Sequence, residues 1–136
     1  MTKKLKFKEN DIEKEILIYL NSLKDGMFWK NPASGFFDGK AMRKHSSKFI
    51  IKGVSDIIGC YKGKFYAFEV KTPVSIRFYE LHHERLSKTA SWALKNDKER
   101  HFRRQIEFQK KIKVYGGEAF FVSSVLEVKK IMESGD

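Results

Sequence analysis

Cysteine is almost missing from this chain. Cys60 stands alone, so no intrachain disulfide can staple the fold. Proline is nearly as scarce. Only Pro32 and Pro73 occur, and no linker separates two cores. No apolar run approaches the roughly 18 residues that a membrane span requires. The opening MTKKLKFK is charged, with no apolar stretch behind it, so a secretory leader is not expected either. Acidic residues are outnumbered by basic ones. Asp and Glu number 17 against 28 Lys and Arg, which leaves a net charge of +11.

What remains is a 136-residue chain, 41% hydrophobic, long enough for one domain with a buried core. A positive surplus of this size strains a compact state by self-repulsion and points to a polyanionic partner. With no membrane-spanning segment in view, a cytoplasmic protein acting on nucleic acid is the expectation, against a basicity that serves solubility alone.

Ile12, Ile16, Leu20 and Leu23 recur at helical spacing and predict a helix over 10–24, capped by Asn10 with Glu13 three residues on. Residues 25–48 read as a basic, loop-rich stretch in which, past Asp25, Lys30, Lys40, Arg43, Lys44 and Lys48, followed by Lys52, face only Asp38. The run Phe49-Ile50-Ile51 and the segments 54–61 and 64–71 read as strands, the last two joined by a tight turn at Lys62-Gly63. In the second of these, Tyr66, Phe68 and Val70 share one face, and Phe65, Ala67, Glu69 and Lys71 the other. Residues 74–104 hold 8 basic and 4 acidic residues and read as weakly patterned helical pieces. A clearer helix follows over 103–115, stopped by Gly116-Gly117. A short strand over 119–123 precedes a last helix opened by a capping box from Ser124 to Glu127. Helix, strands, helices, strand, helix is a mixed α/β layout, with helices covering an open sheet.

The chemistry concentrates at Asp56, Glu69 and Lys71. A hairpin turning at Lys62-Gly63 sets Tyr61 opposite Lys64 and, counting back, Asp56 opposite Glu69, with Cβ atoms about 5 Å apart. Like charges so placed repel, and a divalent cation between them removes the conflict. Mg²⁺ favours such carboxylate oxygens with retained waters. Lys71, two residues past Glu69 on the same face, would position a water or offset phosphate charge. These are the parts that hydrolysis of a nucleic-acid backbone needs; the alternative is an exposed strand face with solvated charges. Two more polar residues lie on apolar faces. Glu13 either closes its capping box or reaches this centre, with Glu9 one turn earlier as its rival. Gln105, on the stripe of Phe108 and Ile112, either bonds backbone or supports the same centre.

Gly53-Val-Ser-Asp56, Phe68-Glu-Val-Lys71-Thr-Pro73, Gln105 eleven residues before Gly116-Gly117, and Asn10-Asp-Ile-Glu13 resemble the virus-type replication-repair nuclease (VRR-NUC) family of the PD-(D/E)XK superfamily. The resemblance covers most of residues 9–132. Ser55 stands where the family usually has proline, and residues 74–102 exceed its usual connection, as a helical insertion would. The resemblance implies a restriction-endonuclease-like mixed central sheet flanked by helices, and Mg²⁺- or Mn²⁺-dependent cleavage of DNA. It implies metal ligation by Asp56, Glu69, the Val70 carbonyl and Glu13, with Lys71 as catalytic lysine and Gln105 as support. Small stand-alone members resemble Holliday-junction resolvases and act as homodimers on branched DNA.

Lys30, Arg43, Lys44, Lys48 and Lys52 are the expected DNA-backbone contacts, with Arg103 and Arg104 next and the tail lysines Lys3, Lys4, Lys6 and Lys8 adding attraction. Trp92 or Tyr79 could stack on a base. His45, His82, His83 and His101 make no convincing metal set, and Cys60 reads as a small core residue.

Overall fold

The computed structural model describes residues 9–32, 36–37, 42–43 and 51–134. In chain order they form α1 (Glu9–Asn21), β1 (Gly26–Lys30), β2 (Phe36–Phe37), β3 (Met42–Arg43), β4 (Ile57–Tyr61), β5 (Lys64–Val70), α2 (Pro73–Lys88), a 3₁₀ turn (Ser91–Ala93), α3 (Asp97–Val114), β6 (Glu118–Val122) and α4 (Val125–Ser134). Four strands make a mixed sheet in the order β1-β4-β5-β6, and β2 and β3 pair separately. β1 with β4 and β4 with β5 pair antiparallel, while β6 joins β5 in parallel after the α2–α3 excursion. The result is the α/β layout expected, a mixed sheet with helices on its faces.

The hairpin register follows from its turn. Lys62 and Gly63 both adopt positive φ, 50° and 80°, the conformation that a two-residue turn needs to match strand twist. Tyr61 then pairs with Lys64 and Ile57 with Phe68, so continuation of the ladder sets Asp56 opposite Glu69, as the counting predicted.

β5 is the central strand. Tyr66, Phe68 and Val70 pack with Ile12, Ile16 and Leu20 of α1 and with Val128 and Met132 of α4. On the other side Ala67 meets Phe108 of α3 and Ala119 of β6. Leu86 of α2, Leu94, and Phe102 and Ile106 of α3 form a neighbouring cluster, to which Phe121 contributes from the sheet. Among the described residues no helix is long and apolar enough to cross a membrane.

Several expectations need correction. Asn10 lies inside α1 and does not cap it, and the helix ends at Asn21, short of residue 24. Part of the supposed loop is strand β1, whose Phe28 fills the core. Ile51 is exposed and outside any strand, and Phe49 and Ile50 lie outside the described residues. The weakly patterned stretch is the whole of α2 plus the first turns of α3, which starts at Asp97 under an Asn96 cap rather than at 103. Cys60 is exposed, because the inward positions of β4 are Ile57, Gly59 and Tyr61. Two stop and start signals act as read. Gly116, at φ 91°, donates to the Lys113 carbonyl and Gly117 to that of Ile112, closing α3 in a Schellman motif. Ser124 Oγ accepts from the Glu127 amide at α4.

Candidate active site

The C-terminal end of β5 carries the site, and local structure fixes its parts closely. Beyond the ladder the Lys71 amide still donates to the Val122 carbonyl at 2.8 Å, which holds Lys71 in line with β6. Thr72 then caps α2 by accepting from the Ser75 amide at 3.2 Å, and Pro73 takes the first helical position, where its missing N–H costs nothing. Asp56 reaches the same place from the other strand. Its approach runs through Gly53, at φ 81° against the Arg104 backbone, where an added Cβ would overlap the Arg104 carbonyl.

Asp56 and Glu69 are locked together through the backbone. The Asp56 amide donates to Glu69 Oε2 at 3.2 Å, and Asp56 Oδ2 accepts from the Val70 amide at 2.8 Å. Glu69 is 4% exposed and Lys71 8%, and the Lys71 ammonium lies 3.7 Å from Glu69 Oε1 and 4.6 Å from the centre of the Phe102 ring. Gln105, 2% exposed on α3, donates its amide N–H to Glu69 Oε1. Its Oε1 has no partner among the described residues, which leaves a buried acceptor beside the carboxyls. Burial, and then the charge of Asp56, push the Glu69 carboxyl up to about 9, against the pull of Lys71.

The helix carboxylates divide. Glu13 is buried and pairs with Lys30 at 3.1 Å, in place of a capping box. Glu9 lies in the field of Lys71, Asp56 and Glu13; desolvation raises its carboxyl above the usual range, with Lys71 pulling the other way. Among the described residues no group of three or more His, Cys, Asp and Glu side chains is disposed to hold a metal ion.

No protein-family model matches this chain, and no curated protein matches it.

The expected DNA contacts are scattered in state. Lys52 and Arg104 are exposed. Lys30 is committed to Glu13. Arg103 bonds the carbonyls of Leu86 and Thr89 and the Glu107 carboxylate, so it fastens α3 to the end of α2. Arg43 lies in β3, and Lys44, Lys48, Lys40, Asp38, His45 and the tail lysines Lys3, Lys4, Lys6 and Lys8 fall outside the described residues. Tyr79 is held against Phe121 and Phe102, whereas Trp92 is 90% exposed on the 3₁₀ turn. His101, which the spacing of the histidines gives no metal role, meets the Gln105 amide through its Nε2 at 3.0 Å. Its position four residues before Gln105, one helical turn away, is the only sequence signal that could have found it.

Proposed function

We propose that this chain is a divalent-metal-dependent DNA endonuclease of the restriction-endonuclease-like, VRR-NUC type, hydrolysing phosphodiester bonds of branched DNA as a homodimer. The observation that carries the reading is the convergence of Asp56, Glu69 and Lys71 at the end of β5, two carboxyls and an ammonium of which Glu69 and Lys71 are buried. A charged set in such a place is a liability for stability, and removing any one member strands the others. Its presence there fits a chemical role.

The residues fit a divalent cation of the Mg²⁺ class. Such a cation is commonly held by one or two carboxylates and completed by waters and substrate phosphate, so a pair of carboxylates suffices where a dedicated protein cage is lacking. Asp56 and Glu69 would hold it, with the Val70 carbonyl alongside. Glu9 is the helix carboxylate better placed to assist, since Glu13 is already paired with Lys30. Bound there, the cation supplies Lewis-acid assistance to phosphodiester hydrolysis. Lys71 donates to a phosphate oxygen and offsets the charge that develops on it. Gln105 fixes the rotamer of Glu69 through its amide.

Cleavage of branched and linear DNA with Mg²⁺ tests the reading. Glu69→Ala and Lys71→Ala should each lose activity by about a hundredfold or more, and equal cleavage by wild type and both variants would sink it. A non-catalytic nucleic-acid-binding module is favoured by one observation, the lack of a three-ligand cluster among the described residues. It predicts metal-independent binding that survives Asp56→Ala, and no cleavage.

A further inference from the structure

We propose that His101 and Arg104 form a phosphate-binding rim on α3 beside Lys71, which receives a DNA backbone phosphate next to the one engaged at Asp56 and Glu69. The inference rests on the nuclease reading and extends it to residues outside the carboxylate centre.

Gln105 supplies the first part of the argument. Its side-chain nitrogen carries two hydrogens, one directed to Glu69 Oε1 and the other to His101 Nε2 at 3.0 Å. With Glu69 held as a carboxylate by a cation, only the amide NH₂ can face it. His101 Nε2 is then an acceptor and the ring proton sits on Nδ1, in a side chain that is exposed on α3. Partial desolvation, and then the nearby charges of Lys71 and Arg104, hold the His101 pKa below its usual value, with Asp56 opposing them. The imidazole therefore presents a neutral N–H donor.

Arg104 supplies the second part. It is three residues from His101 and on a neighbouring helical position. It is exposed and makes no ion pair among the described residues. Its backbone is packed against Gly53, the residue that leads the chain toward Asp56. Arg103, one residue earlier, has its donors filled by Leu86, Thr89 and Glu107. The rim is thus a set of donors, His101 Nδ1–H and the Arg104 guanidinium with the Lys71 ammonium behind them, and its complement is an anion with several acceptor oxygens. A phosphate of the DNA backbone has that chemistry.

The test is fluorescence anisotropy of a short fluorescein-labelled DNA duplex in Ca²⁺ across a salt series, with melting temperatures as the fold control. His101→Gln keeps an amide near the Nε2 position, toward Gln105, and loses the Nδ1–H. His101→Asn does the reverse. His101→Gln should weaken binding about tenfold with an unchanged slope of log affinity against log salt, because a neutral donor releases no counterion. Arg104→Gln should weaken binding and reduce that slope by about 0.9. His101→Asn should stay within about twofold of wild type. Wild-type affinity in His101→Gln, or an equal loss in His101→Asn, would overturn the rim. These losses in the variants, together with no cleavage by wild type in Mg²⁺, would uphold the rim and remove the nuclease reading. Absence of any salt-dependent affinity in wild type would remove both.

Discussion

The two faces of β5 are built from alternate residues of one strand, yet they obey different rules. Toward α1 and α4 the strand presents Tyr66, Phe68 and Val70, and every one of them joins a continuous apolar cluster. Toward α3 it presents Ala67 and then Glu69, with Lys71 just past the strand end, so that ionisable groups sit against the apolar cluster of Phe102 and Ile106. The first face accounts for why the sheet folds. The second shows that the end of the strand is under a constraint that packing does not impose. The charged face stays ordered because the apolar face, only a residue away along the chain, holds the backbone in place.

Adjacent substitutions should separate the two roles most widely. Phe68→Ala should cost about 3–5 kcal/mol of stability in denaturant melts, with cleavage lost only as the fold is lost. Glu69→Gln should abolish cleavage while leaving the fold intact. It should also change the pH dependence in EDTA. Glu69 has a folded-state pKa near 9 against an ordinary 4.5, so between those values the folded chain keeps a proton that the unfolded chain has released. The contribution of Glu69 should therefore be greatest below about 4.5 and fall as pH rises toward 9, and Glu69→Gln should flatten that fall. Mg²⁺ should raise the wild-type melting temperature and leave that of Glu69→Gln unmoved. A variant that still responds to Mg²⁺ would place the cation elsewhere.

A smaller effect separates neighbouring arginines. Arg103→Ala should destabilise by about 1–3 kcal/mol, since it frees the Leu86 and Thr89 carbonyls at the α2–α3 junction, and should alter DNA affinity little. Loss of DNA affinity with unchanged melting would reverse the assignment. The smallest effect belongs to Glu99, whose carboxylate accepts from Arg85 at 2.7 Å and from the Lys95 amide at 2.9 Å. These bonds depress its pKa below the ordinary 4.5, the Arg85 bond most. Its contribution is present above that value and is lost as pH falls through the lower folded-state value. Glu99→Gln should therefore remove a shallow acid-side loss of stability in a pH series of thermal melts, and an unchanged acid limb would show that the bonds contribute nothing.

The sequence was most readable where a residue's own backbone preference decides the structure. Lys62-Gly63 fixed the hairpin register, and with it the meeting of Asp56 and Glu69. Gly116-Gly117 ended α3, and Ser124 and Glu127 opened α4. It was least readable where neighbours decide. β1 is a short edge strand whose one buried side chain, Phe28, gives no alternation to detect. α2 buries only Leu86 fully and shares Phe78 and Tyr79 with α3, so its own stripe is faint. Glu13 looked like part of a cap because its partner, Lys30, is distant in sequence. Cys60 looked like core because strand parity was not assigned to β4. The partner of His101 is no other histidine but a glutamine one turn away.

The joint after β5 has a practical corollary for altering this chain. Lys71 is tied to β6 through Val122, Thr72 caps α2, and Pro73 is already helical, so three consecutive residues have no slack between them. Extra residues there would swing the ammonium away from Glu69. The turn between α2 and α3, with Trp92 at its surface, is the place to splice in a tag or a reporter, well removed along the chain from the carboxylates.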